Sequence, residues 1–194
     1  MARNNANKAK FDEVSKIAGA LVYLSSVIFL VVFGVLLSIS MNVYLHELGH
    51  YVVADYYELN PTMHVTNVLS LENDSLRVNM NPVAYVQYQN PGNTPEAIRK
   101  NINVTLAGPL VNLIITIFFV VTYIFTKFFV KKKLFNSEIY KRSSSYRLKV
   151  FKLSFLVDVI FISLLIPSLV SVIVNLSNIP GSDGAFLREL IKQL

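Results

Sequence analysis

Three long apolar stretches set the strongest limit on what this chain can fold into. Residues 17–45 and 101–126 carry no charged side chain, and residues 153–182 carry only Asp158. A helix needs roughly 20 apolar residues to cross a bilayer, so each stretch is long enough. Hydrophobic residues make up 53% of the 194-residue chain and charged residues 15%, which is too apolar for a soluble domain of this size. The sequence therefore predicts a membrane protein.

We predict a mainly α, integral membrane fold whose core is three transmembrane helices, with a small membrane-associated β segment between the first and second spans. The predicted spans are about residues 20–45, 103–126 and 153–176. They belong to a single membrane-embedded domain, residues 17–194, which follows a polar N-terminal segment, residues 1–16. The first apolar stretch is too long for a signal peptide and lacks an obvious small-residue cleavage site, so we expect it to be retained.

The region from Ile17 to Tyr57 is long for a single span, and two arrangements are open. It forms either two segments that meet near Ser38–Asn42 or one helix that continues into Tyr56–Tyr57. We favour the single helix. Its C-terminal part then contains His46-Glu47-Leu48-Gly49-His50, which is an H-E-x-x-H pattern.

On a helix, positions i and i+4 lie on one face, so His46 and His50 can bind the same ion. Glu47 lies beside them as a general base, which is the arrangement of a zinc hydrolase with one coordination position left open. The metzincin extension of the motif is excluded, because Val53 and Tyr56 occupy its glycine and third-histidine positions. The pattern is short enough to arise by chance, so a third ligand is needed to support it.

The third ligand must be a histidine or a carboxylate, because the chain has no cysteine. Glu72 has a plausible separation for a thermolysin-like site but lies in a polar turn, and His64 lies in a β-prone stretch. Asp183 is the better candidate, since Gly181 and Gly184 allow the backbone to turn and bring its carboxylate back. The alternative role for Asp183 is the N-cap of a final short helix.

Residues 58–100 are more polar than the spans. Asn60-Pro61 ends the first helix, and β-prone pieces follow at His64–Leu71, Leu76–Met80 and Val83–Gln89. A strand with a free edge at the membrane surface could pair with an unwound peptide by strand addition. An ordinary surface loop explains the same residues equally well.

Two polar residues lie inside the apolar stretches. Asn112 follows Ala107-Gly108-Pro109 in the second span, where it either packs as a satisfied asparagine or holds a substrate backbone near the metal. Asp158 lies near the start of the third span, close enough to basic residues to pair with them, so we expect a structural role.

The net charge of +6 is concentrated in one linker. Between residues 127 and 152 the only acid is Glu138, and the nine basic residues are Lys127, Lys131, Lys132, Lys133, Lys141, Arg142, Arg147, Lys149 and Lys152. Such a linker between two spans is typical of a cytoplasmic loop, and we expect no nucleic-acid partner. With three spans, the linker and the basic N-terminus share the cytoplasmic side, and the candidate site lies toward the opposite side.

Three motifs taken together resemble the site-2 protease family of intramembrane zinc metalloproteases, over about residues 25–185. They are HELGH at the end of one span, AGPLVN in the second, and N-x-x-N-x-P-x-x-D-G after the third. The resemblance implies that His46, His50 and Asp183 bind Zn²⁺. It also implies that Glu47 is the general base and that Asn112 belongs to a substrate-handling motif. The last motif departs from the family at Asn178 and Ser182, where a proline and a leucine are usual.

The same resemblance implies that the chain hydrolyses a peptide bond in or near a transmembrane helix of a membrane-protein substrate, as in regulated intramembrane proteolysis. Its partners would then be a transmembrane protein and the lipid bilayer, and it would be a multi-pass protein of the cell membrane. Residues 60–90 would help to hold the substrate. Both sides stay open for the mouth of the site, because the charge pattern places it opposite the basic linker, whereas many members of the family are thought to open toward the cytosol. The alternative is a catalytically inactive scaffold, or pseudoprotease, that binds transmembrane partners. The intact Glu47 favours the enzyme.

Overall fold

The computed structural model describes residues 2–65, 69–72, 75–78, 84–132 and 143–194, with side chains at 13–65, 84–132 and 143–194. In these parts the chain forms the helices α1 (Ala2–Tyr56), α2 (Pro95–Val130), α3 (Ser144–Leu176) and α4 (Asp183–Ile191). The strands are β1 (Thr62–Val65), β2 (Leu69–Glu72), β3 (Ser75–Val78) and β4 (Ala84–Gln87).

Three of the helices, α1, α2 and α3, are long and apolar enough to cross a membrane, which confirms the predicted three-span fold. The first apolar stretch is one helix to Tyr56, as favoured, without a break near Ser38–Asn42. At 1.5 Å per residue its 55 residues extend about 80 Å, more than twice the hydrocarbon thickness of a bilayer. The helix therefore continues beyond the lipid.

Helix α2 is the centre of the bundle. Half of its most apolar window is buried, compared with 6% for α1 and 17% for α3. Glycines on α1 allow its neighbours to approach closely. A Cβ on Gly49 would lie 2.9 Å from the Ala107 carbonyl oxygen of α2, and one on Gly34 would collide with the Ser163 hydroxyl of α3. Small residues at such crossings are typical of packed membrane helices.

A layer of hydrogen-bonded polar side chains joins the three long helices below the candidate site. Ser168 of α3 donates a 3.1 Å hydrogen bond to Oδ1 of Asn42 on α1, and Asn42 donates to the Ser38 carbonyl at 2.8 Å. The hydroxyls of Thr116 on α2 and Ser168 lie 2.8 Å apart. Ser38, Asn42 and Ser168 are at most 1% exposed. Because these groups have no partner in lipid, their bonds to one another hold the helices in one register.

A second polar contact joins α2 and α3 nearer to the basic linker. Lys127 Nζ lies 2.8 Å from Asp158 Oδ1, and the Tyr123 hydroxyl donates to the same oxygen at 2.8 Å. This pairing agrees with the structural role expected for Asp158. Residues 133–142 of the linker lie outside the described part of the chain.

The strands form two antiparallel pairs, β1 with β4 and β2 with β3. Strand β4 lies within the β-prone piece Val83–Gln89, and its partner is β1, with Thr62 opposite Gln87 and His64 opposite Tyr85. Val83 and residues 79–82 lie outside the described residues. Beyond the ladder, Gln89 N donates to the Leu59 carbonyl at 2.9 Å. This bond fixes the sheet to the turn that ends α1, so β4 lies beside the H-E-x-x-H segment.

Candidate metal centre

His46, His50 and Asp183 converge on one point, although they come from opposite ends of the domain. Their candidate ligand atoms all lie within 4.8 Å of one another. The Nε2 atoms of the two histidines are 3.1 Å apart, and Asp183 Oδ2 lies 2.8 Å from that of His46 and 3.4 Å from that of His50. Both histidines are buried. The helical spacing of the motif therefore places both rings as predicted.

The turn between α3 and α4 brings Asp183 to the histidines. Gly181 has φ 86°, a left-handed conformation that suits glycine. Ser182 then caps α4, since its hydroxyl accepts a 3.3 Å hydrogen bond from Ala185 N. Gly184 packs so tightly that a Cβ there would collide with the Ser177 carbonyl oxygen. The N-cap role considered for Asp183 thus belongs to Ser182, and the carboxylate in the first turn is free to face the two rings.

The three distances fit a zinc site. Zinc binds imidazole nitrogen and carboxylate oxygen at about 2.0–2.2 Å in tetrahedral sites, which places neighbouring ligand atoms about 3.3 Å apart. The observed separations of 2.8, 3.1 and 3.4 Å bracket that value. Asp183 Oδ2 is buried, yet no hydrogen bond of good geometry reaches it among the described residues. A cation between these atoms would supply the missing partner.

Gly108 of α2 leaves room directly against the two rings. A Cβ at this position would lie 2.6 Å from Cε1 and 2.7 Å from Nε2 of His46, and closer still to Nε2 of His50. Because glycine has no side chain, the space beside the nitrogen atoms that would bind the metal stays open.

The remaining ring nitrogens contact α2 and α3. His50 Nδ1 lies 2.7 Å from the Val104 carbonyl oxygen, to which it donates. His46 Nδ1 lies 3.0 Å from the side-chain amide of Asn112 and 3.4 Å from that of Asn175. Metal-binding histidines usually hold their second nitrogen in this way. The predicted substrate role of Asn112 stays a prediction, and its amide contacts both His46 and, at 2.8 Å, the Ser171 hydroxyl.

Asp183 is ionised at neutral pH. Burial opposes its charged form, but at acid pH the imidazolium forms of His46 and His50 donate to the carboxylate and outweigh this effect, which lowers the pKa of Asp183 to about 2. A carboxylate must be deprotonated to bind a metal, so the side chain is in the required state without further change.

Glu47 faces a cavity of about 260 Å³ that opens next to the ligands. His50 and Asp183 line it on one side, and Tyr85, Val86 and Tyr88 of the β4 region, Thr105 and Phe186 complete the lining. Burial raises the pKa of the Tyr88 phenol, which therefore remains a neutral hydrogen-bond donor. One small cavity is therefore bordered by the Glu47 carboxylate, the candidate metal position and strand β4.

His64, another candidate from the sequence, does not reach the centre. His64 lies in β1, where its ring stacks on Tyr85 at a centroid distance of 4.7 Å. The side chain of Glu72 lies outside the described residues. Asn175 is the contact that sequence reasoning missed. A signal for it was present, because a polar residue at the end of an apolar span needs a partner.

One protein family matches most of the chain. The model of peptidase family M50, the site-2 protease family, matches residues 29–187, which include all three candidate ligands, Glu47 and Asn112. No curated protein and no solved structure is significantly similar to the chain.

Proposed function

The chain belongs to peptidase family M50, a family of membrane metalloproteases, and on that premise we propose that it is an active zinc metalloendopeptidase. Its substrate is a membrane protein, which it cuts in or near a transmembrane helix, as in regulated intramembrane proteolysis. We further propose that it acts as a multi-pass protein of the cell membrane.

One observation carries the proposal, namely the convergence of His46, His50 and Asp183 within hydrogen-bonding distance of each other. These three residues would hold Zn²⁺ and leave a fourth position open toward the cavity. When bound, zinc supplies a Lewis acid that polarises a peptide carbonyl and makes water acidic. The three ligands provide two neutral donors and one anion, a set used by zinc hydrolases.

Glu47 is the residue that moves the proton. It follows His46 directly on α1 and lines the cavity beside His50 and Asp183. Its carboxylate accepts a proton from the attacking water and then donates it to the nitrogen of the cleaved bond, which leaves as an amine. A scaffold that only binds partners has no use for a base at this position, which supports the enzyme over the pseudoprotease.

The size of the cavity indicates what the substrate must do. An α-helix with its side chains is about 10–12 Å across, too wide for a cavity of about 260 Å³. The amides of a helix are also paired with one another, so a transmembrane substrate has to unwind before a peptide carbonyl can enter. Strand β4 borders the cavity, and in the described residues its ladder partner is β1 alone. The unwound segment can then pair with β4 by strand addition.

Zinc analysis combined with a cleavage assay tests the proposal. The purified protein is reconstituted in liposomes with fluorogenic transmembrane peptides that carry helix-breaking residues at mid-membrane. We expect one zinc per chain and cleavage in the unmodified protein, zinc without cleavage in Glu47→Gln, and neither in His46→Ala. Full cleavage by Glu47→Gln would remove its assigned role. Natural membrane partners can be captured with Glu47→Gln and tested as further substrates. If the zinc-loaded protein cleaves neither these partners nor the peptides, the result would favour the pseudoprotease.

A further inference from the structure

One face of α2 lies against the two candidate histidine ligands at three positions. Val104, Gly108 and Asn112 are spaced four residues apart, so they lie on one side of the helix. Val104 contacts His50 through its carbonyl, Gly108 leaves room beside both rings, and Asn112 contacts His46. The two ends of this stripe therefore perform equivalent contacts with the two histidines.

The contact at His50 has only one possible direction. A backbone carbonyl accepts but cannot donate, so the proton of the neutral His50 ring is on Nδ1 and points to Val104, 2.7 Å away. The lone pair of Nε2 is then free and faces Asp183. A main-chain atom thus fixes the protonation pattern that a metal ligand needs.

At His46 the same task falls to a side chain. Asn112 is 0% exposed, and one end of its amide lies 3.0 Å from His46 Nδ1 and 2.8 Å from the Ser171 hydroxyl. With the nitrogen at that end, Oδ1 is buried without a partner and His46 Nδ1 has to accept. The ring proton would then lie on Nε2, between His50 and Asp183, where it would exclude a metal. The oxygen and nitrogen ends of an amide have the same shape, and exchanging them lets the oxygen accept from both groups, while the nitrogen takes the end that has no partner among the described residues.

We infer that Asn112 is a positioning residue whose side-chain carbonyl accepts the Nδ1 proton of His46 and so keeps the Nε2 lone pair directed at the metal position. The inference rests on the metal centre of the proposed function. It gives Asn112 a role different from the predicted contact with substrate. Substrate contact would affect the KM of cleavage, whereas positioning affects metal affinity in the absence of any substrate.

Two substitutions separate hydrogen-bond acceptance from other effects. Asn112→Leu keeps a similar volume but removes the acceptor, and Asn112→Asp keeps an acceptor while removing the amide donor. Asn42→Leu is the matched control, since Asn42 is also a buried asparagine, 1% exposed, but bonds to Ser38 and Ser168 and not to a histidine. Zn²⁺ affinity is measured by competition with a chromogenic chelator in detergent. Nitrogen-15 NMR of labelled histidine reports the tautomer, and the chain has only three histidines to assign.

In the unmodified metal-free protein we expect His46 to carry its proton on Nδ1. Asn112→Leu should raise the Kd for Zn²⁺ by about 10- to 100-fold and mix the two tautomers. Asn112→Asp and Asn42→Leu should stay within about threefold of the unmodified Kd. The inference is overturned if Asn112→Leu leaves Kd and tautomer unchanged, if Asn112→Asp loses zinc as Asn112→Leu does, or if the metal-free ring is protonated on Nε2. If the unmodified protein binds no zinc, the proposed function fails, and the tautomer spectrum still decides the inference.

Discussion

Replacing Gly108 with alanine tests the geometry of the metal centre with a single methyl group. The new Cβ would lie 2.6 and 2.7 Å from two atoms of the His46 ring, and closer to Nε2 of His50. Ordinary contacts begin at 3.4 Å, so at least one ring has to move by about 0.7 Å or more, or α2 has to move away from α1. Both rings are buried, and Gly49 already packs α1 against α2 at the limit of contact.

The size of that displacement determines the expected effect. Zinc sites tolerate deviations of about 0.2 Å in ligand distance, so a shift of 0.7 Å removes at least one histidine from the coordination sphere. Loss of a hydrogen bond to a metal-binding residue lowers metal affinity by about 10- to 100-fold, and displacement of the metal-binding residue itself should lower it further. We therefore expect Gly108→Ala to raise the Kd for Zn²⁺ more than 100-fold and to abolish cleavage. The helices themselves should remain folded, since overpacking costs typically 1–3 kcal/mol.

The assay is zinc competition on the purified variant, with circular dichroism to confirm its helix content. Gly19→Ala is the control, because a Cβ at Gly19 meets nothing within 4 Å and the chemical change is identical. It should bind zinc with unchanged affinity. If Gly108→Ala binds zinc within about threefold of the unmodified protein, the metal does not lie where the ligand distances place it.

The remaining predictions concern the ligands and the polar contacts that hold the helices. Asp183→Ala removes the only anionic ligand and should raise the Kd for Zn²⁺ more than about 100-fold, measured by chelator competition. Removal of zinc with phenanthroline should stop cleavage of the transmembrane peptides, and stoichiometric zinc should restore it. Asp158→Ala leaves Lys127 without its counter-ion and should lower the free energy of unfolding by about 1–2 kcal/mol, measured by titration from a mild into a denaturing detergent. Asn42→Leu breaks the buried hydrogen bonds of Asn42 with Ser38 and Ser168 and should cost about 1 kcal/mol in the same titration.

Each of these has an outcome that would contradict it. Tight zinc binding by Asp183→Ala would mean that another group completes the site. Cleavage that persists after the chelator has removed all zinc would exclude metal catalysis. Unchanged stability of Asp158→Ala, with Tyr123→Phe as a second variant at the same carboxylate, would show that the contact between α2 and α3 contributes nothing.

The sequence predicted the parts of this protein that follow from local periodicity and length. Each of the three apolar stretches is long enough to span a bilayer, and each lies in a helix of the expected type. The i, i+4 spacing of His46 and His50 allows the rings to meet, because both side chains then project from one face of the helix. The flanking glycines of Asp183 indicated a turn, and one of them has the left-handed backbone that allows it.

The remainder depends on how distant segments meet, which no local pattern contains. The pairing of β1 with β4 joins strands that are not consecutive. The contacts of Asn112 and Asn175 with His46 depend on the rotation of α2 and α3 about their axes. A turn of either helix by one residue, about 100°, would direct the same amides into lipid. The resemblance of three separated motifs to one family assigned residues of distant segments to a single predicted site, which periodicity alone could not do.

The order of the ligands along the chain also governs when the centre can first exist. Two donors lie on the first span, while the carboxylate follows the third. During synthesis, α1 is inserted with its imidazoles already adjacent but without their anionic partner. The three candidate ligands can meet only after α3 has crossed the membrane and α4 has packed against α2. On the proposed function, a nascent chain would be unable to cut its neighbours in the bilayer until its own insertion is finished.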